Sequence, residues 1–271
     1  MTAASALALD GHSLTLADVV RVARSRQPVA LSAASIERMG AARAVVERVL
    51  ERGDLAYGLT TAVGVRKGVR VEAGASALFN ARLIADHRVA SGPDASEEVV
   101  RATLVRLANG LAAGTAGVRP ALAERVVALL NANELPRVRL LGSVGMGDLA
   151  PMADVATRLA DGFPLAAREG VALLASNAFS TALAALALDR CDRYLRLQAR
   201  LGALELEALC ANVTMLHPAI AEVRPYRGIA RVLDRLHAAL AGSFLWQPGA
   251  AANRRACRGS PAEARARAHG R

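Results

Sequence analysis

Lysine is almost missing from this chain. Of 34 basic residues among 271, only Lys67 is a lysine and the other 33 are arginines. Aromatic residues make up 3%, and there are three cysteines. Each scarcity excludes something. With few aromatic and β-branched residues, a β-rich fold is disfavoured. The net charge of +10 suggests a phosphate partner at first. An arginine-for-lysine bias throughout points instead to a GC-rich coding sequence. Half of that charge, +5, lies in residues 253–271. No basic stripe is interleaved with aromatics, so nucleic-acid binding is not expected. Cys191, Cys210 and Cys257 are odd in number and far apart, which suits neither a disulfide framework nor a zinc site. They are expected as free thiols in a reducing cytoplasm. Residues 1–16 carry no early Lys or Arg, and Asp10 breaks their apolar run, so no signal peptide is read there. No run of about 18 uninterrupted apolar residues occurs, so no membrane span is expected.

What is abundant favours helix. The chain is 53% hydrophobic and rich in Ala, Leu, Arg and Glu, all good helix formers. Residues 14–24 predict a helix with Thr15 as its N-cap, and residues 32–52 another, capped by Ser32 or Ser35 and stopped by Gly53. Residues 54–74 hold several glycines and no helical period, so they predict a loop with short strands at most. Helices resume at 75–90 and 96–113, where Val100, Leu104, Leu107 and Leu111 share one face. Pro120 suits the first position of the next helix, with Leu122, Val126 and Leu129 inward. A second break spans 135–151, and Gly142, Gly145 and Gly147 crowd its middle. An apolar run over 169–210, as one helix or two, and a helix at 227–241 complete the pattern. After Pro248 large apolar residues almost vanish, and such a tail cannot bury a core.

The two glycine-rich breaks carry a resemblance. "GSVGMGDLAP" (142–151) is similar to "GSVGASGDLAP" of the aromatic amino-acid ammonia-lyases, the histidine and phenylalanine ammonia-lyase family. "YGLTTAVG" (57–64) is similar to that family's "YGINTGFG". "DHRVASG" (86–92), "GTAGVRP" (114–120) and "REGVALL" (168–174) follow in the family's order. Five matches in sequence are far more specific than one glycine pattern. The resemblance covers residues 10–248, the N-terminal half of a family member. It implies an all-α fold: the N-terminal part of a helical bundle with irregular active-site loops, over residues 1–248. Residues 249–271 are expected to form a disordered Arg/Ala-rich tail. It also implies homotetramers and elimination of ammonia from histidine, phenylalanine or tyrosine. The family's electrophile, 4-methylidene-imidazol-5-one, forms from an Ala-Ser-Gly tripeptide of the chain itself.

The resemblance places Tyr57 on the catalytic base; the alternative is a loop tyrosine packing its ring. It places His87 on a residue that contacts the substrate ring, compatible with histidine or tyrosine as substrate. A histidine near the end of a helix also reads as a capping or surface residue. The Ala-Ser-Gly positions read Gly145-Met146-Gly147, in a loop one residue shorter. The methylidene arises by loss of the serine hydroxyl, and Met146 has no β-oxygen to lose. No such cofactor is therefore expected, and no metal site. Asp148 remains and is expected to cap the helix starting near Pro151. The family's asparagine after "EGLALL" is Ala175 here. Asn177, two residues on, would face the opposite side of a continuous helix. The family's "QDPYSLRC" segment is not found after residue 250, so a frameshift or truncation is expected.

The reading is a cytoplasmic ammonia-lyase homologue that is inactive as this chain. A divergent cofactor-independent enzyme and a non-catalytic partner subunit are the alternatives. An aromatic amino acid would be the substrate, if there is one. A second copy or a full-length homologue would be the protein partner.

Overall fold

In the computed structural model, which describes residues 5–247, ten α-helices carry the fold. The chain divides into two compact units, Met1–Asp189 and Arg190–Arg271. Tail residues 248–271, expected to be disordered, lie outside the described residues.

The first unit opens with a short strand, β1 (Leu7–Leu9), then helix α1 (Leu16–Ser25). The Thr15 side chain accepts from the Asp18 amide at 3.2 Å, and the Asp18 carboxylate accepts from the Thr15 amide at 2.9 Å, a reciprocal capping box. Burial pushes the Asp18 carboxyl up, but the Thr15 hydroxyl and amide and the Arg21 guanidinium outweigh it and hold it below the usual carboxylate range. Strand β2 (Val29–Leu31) pairs with β1 in parallel. This pair was not legible in the sequence, because three-residue strands carry no period. Helix α2 (Ala33–Arg52) runs from Ser32, whose side chain accepts from the Ser35 amide, to Gly53 in the left-handed conformation. Both ends match the sequence reading.

The 54–74 segment is irregular, with two isolated β-bridges and single 3₁₀ turns. Helix α3 (Ser76–His87) follows, then strand β3 (Ser91–Asp94). Helix α4 (Glu97–Ala112) is buried on nearly every side, Val100, Leu104, Leu107 and Leu111 included. A helix buried on nearly every side belongs in the middle of a bundle. Its one buried cation, Arg101, donates to Val22 O of α1, and to Leu130 O and Asn133 Oδ1 at the end of helix α5 (Pro120–Ala132). Arg101 thus satisfies helix-end carbonyls that burial would leave orphaned. Burial pushes its guanidinium down from its ordinary value, against the pull of Glu97.

Strand β4 (Arg139–Leu141) pairs antiparallel with β3 and leads through the 142–148 loop into helix α6 (Leu149–Ala160). The apolar run from residue 169 is two helices, α7 (Glu169–Leu174) and α8 (Ala178–Ala208), broken at 175–177. By length and composition the stretch Glu169–Ala208 could cross a membrane, with a mean hydropathy of 1.8 in its best window. The stretch is not one uninterrupted apolar helix, since Ala175, Ser176 and Asn177 divide it. The break, and the burial of Leu173, Leu174, Phe179 and Leu186 in the first unit's core, account for its apolarity.

The second unit holds the rest of α8 with helices α9 (Ala219–Val223) and α10 (Arg227–Ala239). Leu216, Leu233, Leu240 and Leu245 form its own small core. The His237 ring stacks on Trp246 with centroids 5.1 Å apart. Free thiols were expected throughout. Cys191 is free and exposed, but Cys210 is disulfide-bonded.

Candidate active-site loops

The 142–148 loop is shaped by its glycines. Gly145 and Gly147 have φ of +84° and +78°, in the left-handed region where a side chain is strained. A Cβ on Gly142 would lie 2.8 Å from the Ala150 side chain. Between these glycines Val144 and Met146 are exposed, Met146 at 77%. The thioether therefore stands at the tip of the loop.

Asp148 is buried, but it does not cap the helix it precedes. It occupies the N-cap position of α6 without a side-chain bond to that helix. Its carboxylate turns instead to the start of α8 and accepts from the Ser180 amide at 2.8 Å and the Ser180 hydroxyl at 3.0 Å. Ser143 Oγ is 3.2 Å from the other carboxylate oxygen and 3.2 Å from Gly147 O. The expected capping of the 149–160 helix is thus corrected. The carboxylate serves the free amides of a helix reached through space, where the dipole equally favours it. The Asp148 amide also donates to Ser176 O, which fixes the loop against the α7–α8 break. That break removes the premise for placing Asn177 opposite Ala175. Ala175 stands in the turn ending α7 and Asn177 in the irregular link just before α8, both exposed.

Tyr57 sits just beyond α2 and is half exposed. Its phenol oxygen accepts from the Gly64 amide at 3.0 Å. The loop closes on itself through Thr60, whose hydroxyl accepts from the Ala56 amide and donates to Asp54 O. Tyr57 lines a cleft of about 350 Å³ with Val45, Val46, Val49 and Arg168. His87 is the last residue of α3, and its Nδ1 is 2.8 Å from Leu83 O, one turn back. It lines a different cleft, of about 390 Å³, with Arg66, Arg70, Glu72 and Arg82. The residues of the 142–148 loop line neither cleft. Among the described residues no group of three or more His, Cys, Asp or Glu could hold a metal.

The strongest polar construction here was missed in the sequence. Glu169 is fully buried. It accepts from the Arg119 amide (3.0 Å), Nε (2.9 Å) and Nη2 (2.7 Å), and from the Ala166 amide (2.8 Å). The hydrogen bond to Glu169 pushes the Arg119 guanidinium up from its ordinary value. The same guanidinium lies over the Phe163 ring, 5.0 Å from its centroid. Asn80 Nδ2 donates to Leu165 O and Ala166 O, and its Oδ1 accepts from the Gly170 amide. A Cβ on Gly170 would come 2.6 Å from that Oδ1, so a side chain there would displace the Asn80 amide. Each residue was visible singly, a glutamate beside an apolar run and an arginine ahead of Pro120, but nothing in the sequence pairs them across 50 residues.

A helical bundle whose glycine loops are pinned to helix ends defines a class of scaffold, and comparison with known proteins identifies the family. The family described as "Aromatic amino acid lyase" matches residues 14–164 and 160–263. This chain belongs to it. Histidine ammonia-lyase of Geobacillus thermodenitrificans is 34% identical over 263 residues, covering 88% of this chain and 52% of that one. Histidine ammonia-lyase of Gloeobacter violaceus is 36% identical over 246 residues, covering 82% and 48%. Among solved structures, tyrosine aminomutase of Streptomyces globisporus superposes with a TM-score of 0.85 at 25% identity, over 98% of this chain and 54% of that one. Histidine ammonia-lyase of Trypanosoma cruzi gives 0.77 at 27% identity, over 86% and 51%. The chain spans about half the length of the curated relatives it matches.

Proposed function

We propose that this chain is a histidine-type ammonia-lyase homologue that lacks the family's electrophile and does not eliminate ammonia by itself. One feature supports this: matched on "GDLAP", the loop puts Met146 where the family motif has the serine whose hydroxyl leaves. The fit of the family's cofactor fails on the residues present. The one hydroxyl in the loop, that of Ser143, lies within hydrogen-bond distance of Asp148 and of Gly147 O. Any role for Tyr57 and His87 is then binding and proton handling. The phenol oxygen of Tyr57 already accepts a hydrogen bond, and the imidazole of His87 is turned by Leu83 O.

A second reading, a non-catalytic partner in an oligomer, is favoured by α8. Tyr194, Leu197, Leu201 and Leu204 are all exposed and follow a 3-4-3 spacing, the seam of a helix that packs on another helix. The occupant would be a second copy or a full-length homologue in the cytoplasm.

A nucleophile trap tests the first reading. Purified chain treated with isotopically labelled cyanide is expected to take up no label in the peptide spanning residues 142–150. Label fixed there would reveal an electrophile and overturn the reading.

A further inference from the structure

Arg168 stands apart among the residues of left-handed backbone. Of the four non-glycine residues with positive φ among those described, Arg26 and Asn133 end helices α1 and α5, where that conformation is usual. Arg168 begins a helix, α7, with φ +81° and ψ −28°. A residue in that place is ordinarily extended. Strain of this kind persists only where the surroundings over-determine it.

The surroundings explain where the side chain goes. On one side Glu169 is locked by Arg119 and Ala166, so the backbone entering α7 cannot relax. On the other side the Arg168 guanidinium reaches across 111 residues of sequence to donate from Nη1 to Tyr57 O at 3.1 Å. Its Nε lies 3.5 Å from Ala116 O. Among the described residues no carboxylate pairs with it, so its charge-assisted bond is directed at a backbone carbonyl. The neighbouring Gly58 has φ +66°, and a Cβ there would come 2.9 Å from Val171 Cγ2. Residues 57 and 58 are therefore gripped from α7 at two points, a hydrogen bond at the carbonyl and a close contact at the next Cα.

We propose that Arg168 is a positioning residue: the left-handed turn ahead of α7 aims its guanidinium at the carbonyl of Tyr57 and so fixes where the phenol lies. The interest of that placement rests on Tyr57 being the proton-handling group of this loop. The placement itself is measured without turnover, so a failure of one is distinguishable from a failure of the other.

The test uses the full chain with Tyr194→Phe and Tyr226→Phe, which leaves Tyr57 as its only tyrosine. Ring-labelled Tyr57 is followed by NMR, together with amide exchange across residues 57–64. Arg168→Gly relieves the backbone while removing the guanidinium, so the fold is expected to melt no lower. The Tyr57 ring resonance is expected to move, and amides 59–61 to exchange about tenfold faster, the scale of one lost charge-assisted bond. Arg168→Lys, which keeps a donor but not its geometry, is expected to fall between the two. Tyr57→Phe is expected to leave exchange at 59–61 unchanged, since Arg168 holds the carbonyl and the phenol is bonded elsewhere, to the Gly64 amide. The proposal is overturned if Arg168→Gly leaves the ring resonance and loop exchange unchanged. It is equally overturned if exchange rises evenly over the whole first unit, the mark of a merely structural residue.

Discussion

Incubated with histidine, tyrosine or phenylalanine, the purified chain is expected to release ammonia at most about 10⁴-fold faster than enzyme-free buffer, the ceiling of side-chain proton transfer. Enzymes typically accelerate their reactions by roughly 10⁶-fold or more, and here the two obstacles are a weakly acidic β-proton and a poor leaving group. Side chains move protons well but do not supply a strong electrophile. Even the proton-transfer ceiling assumes that the groups converge. Tyr57 and His87 line separate clefts, so the expected rate lies near the bottom of that range. A coupled ammonia assay reads it directly, and release approaching roughly a millionfold over background would contradict the account.

Changing Glu169 to Gln is expected to destabilise the first unit by about 3 kcal/mol, because it removes one partner of a buried ion pair and leaves the other uncompensated. Glu169 is fully buried, and four hydrogen bonds converge on its two oxygens. A glutamine presents an NH₂ where one of those oxygens stood, facing donors with a donor. Arg119 is about one-third exposed, so water recovers part of the loss, and the figure is at the low end for buried pairs. At about 2–4 °C per kcal/mol for a unit of this size, the melting temperature should fall by roughly 6–12 °C. The double replacement Arg119→Met with Glu169→Met should cost less than the two single changes together, since apolar partners leave no orphaned charge. Thermal melts by circular dichroism check both, and a shift of under about 2 °C for Glu169→Gln would remove the pair from the account of how α7 is held.

The helical frame was legible because periodicity and punctuation agree. Ser32 and Gly53 bound α2, Pro120 opens α5, and the inward faces of α4 and α5 are those their spacing indicates. Three things were not legible, for separate physical reasons. The paired strands at 7–9 and 29–31 are too short to show alternation. The direction of Asp148 depends on a helix start that is adjacent only in space. The break at 175–177 carries Ser176 and Asn177, residues common in turns, but two polar residues in an apolar-rich run do not decide between one helix and two. At the candidate site, the motifs located each loop. They did not reveal that Glu169 and Arg119 are the anchor between loops, because an ion pair 50 residues apart in sequence leaves no local pattern.

The intact mass of the purified chain, with a peptide map of residues 142–150, decides whether this loop carries an electrophile. The account predicts the full translated mass and an unmodified peptide containing Gly145, Met146 and Gly147. A chain lighter by two waters, with the loss mapped to that peptide, would contradict it.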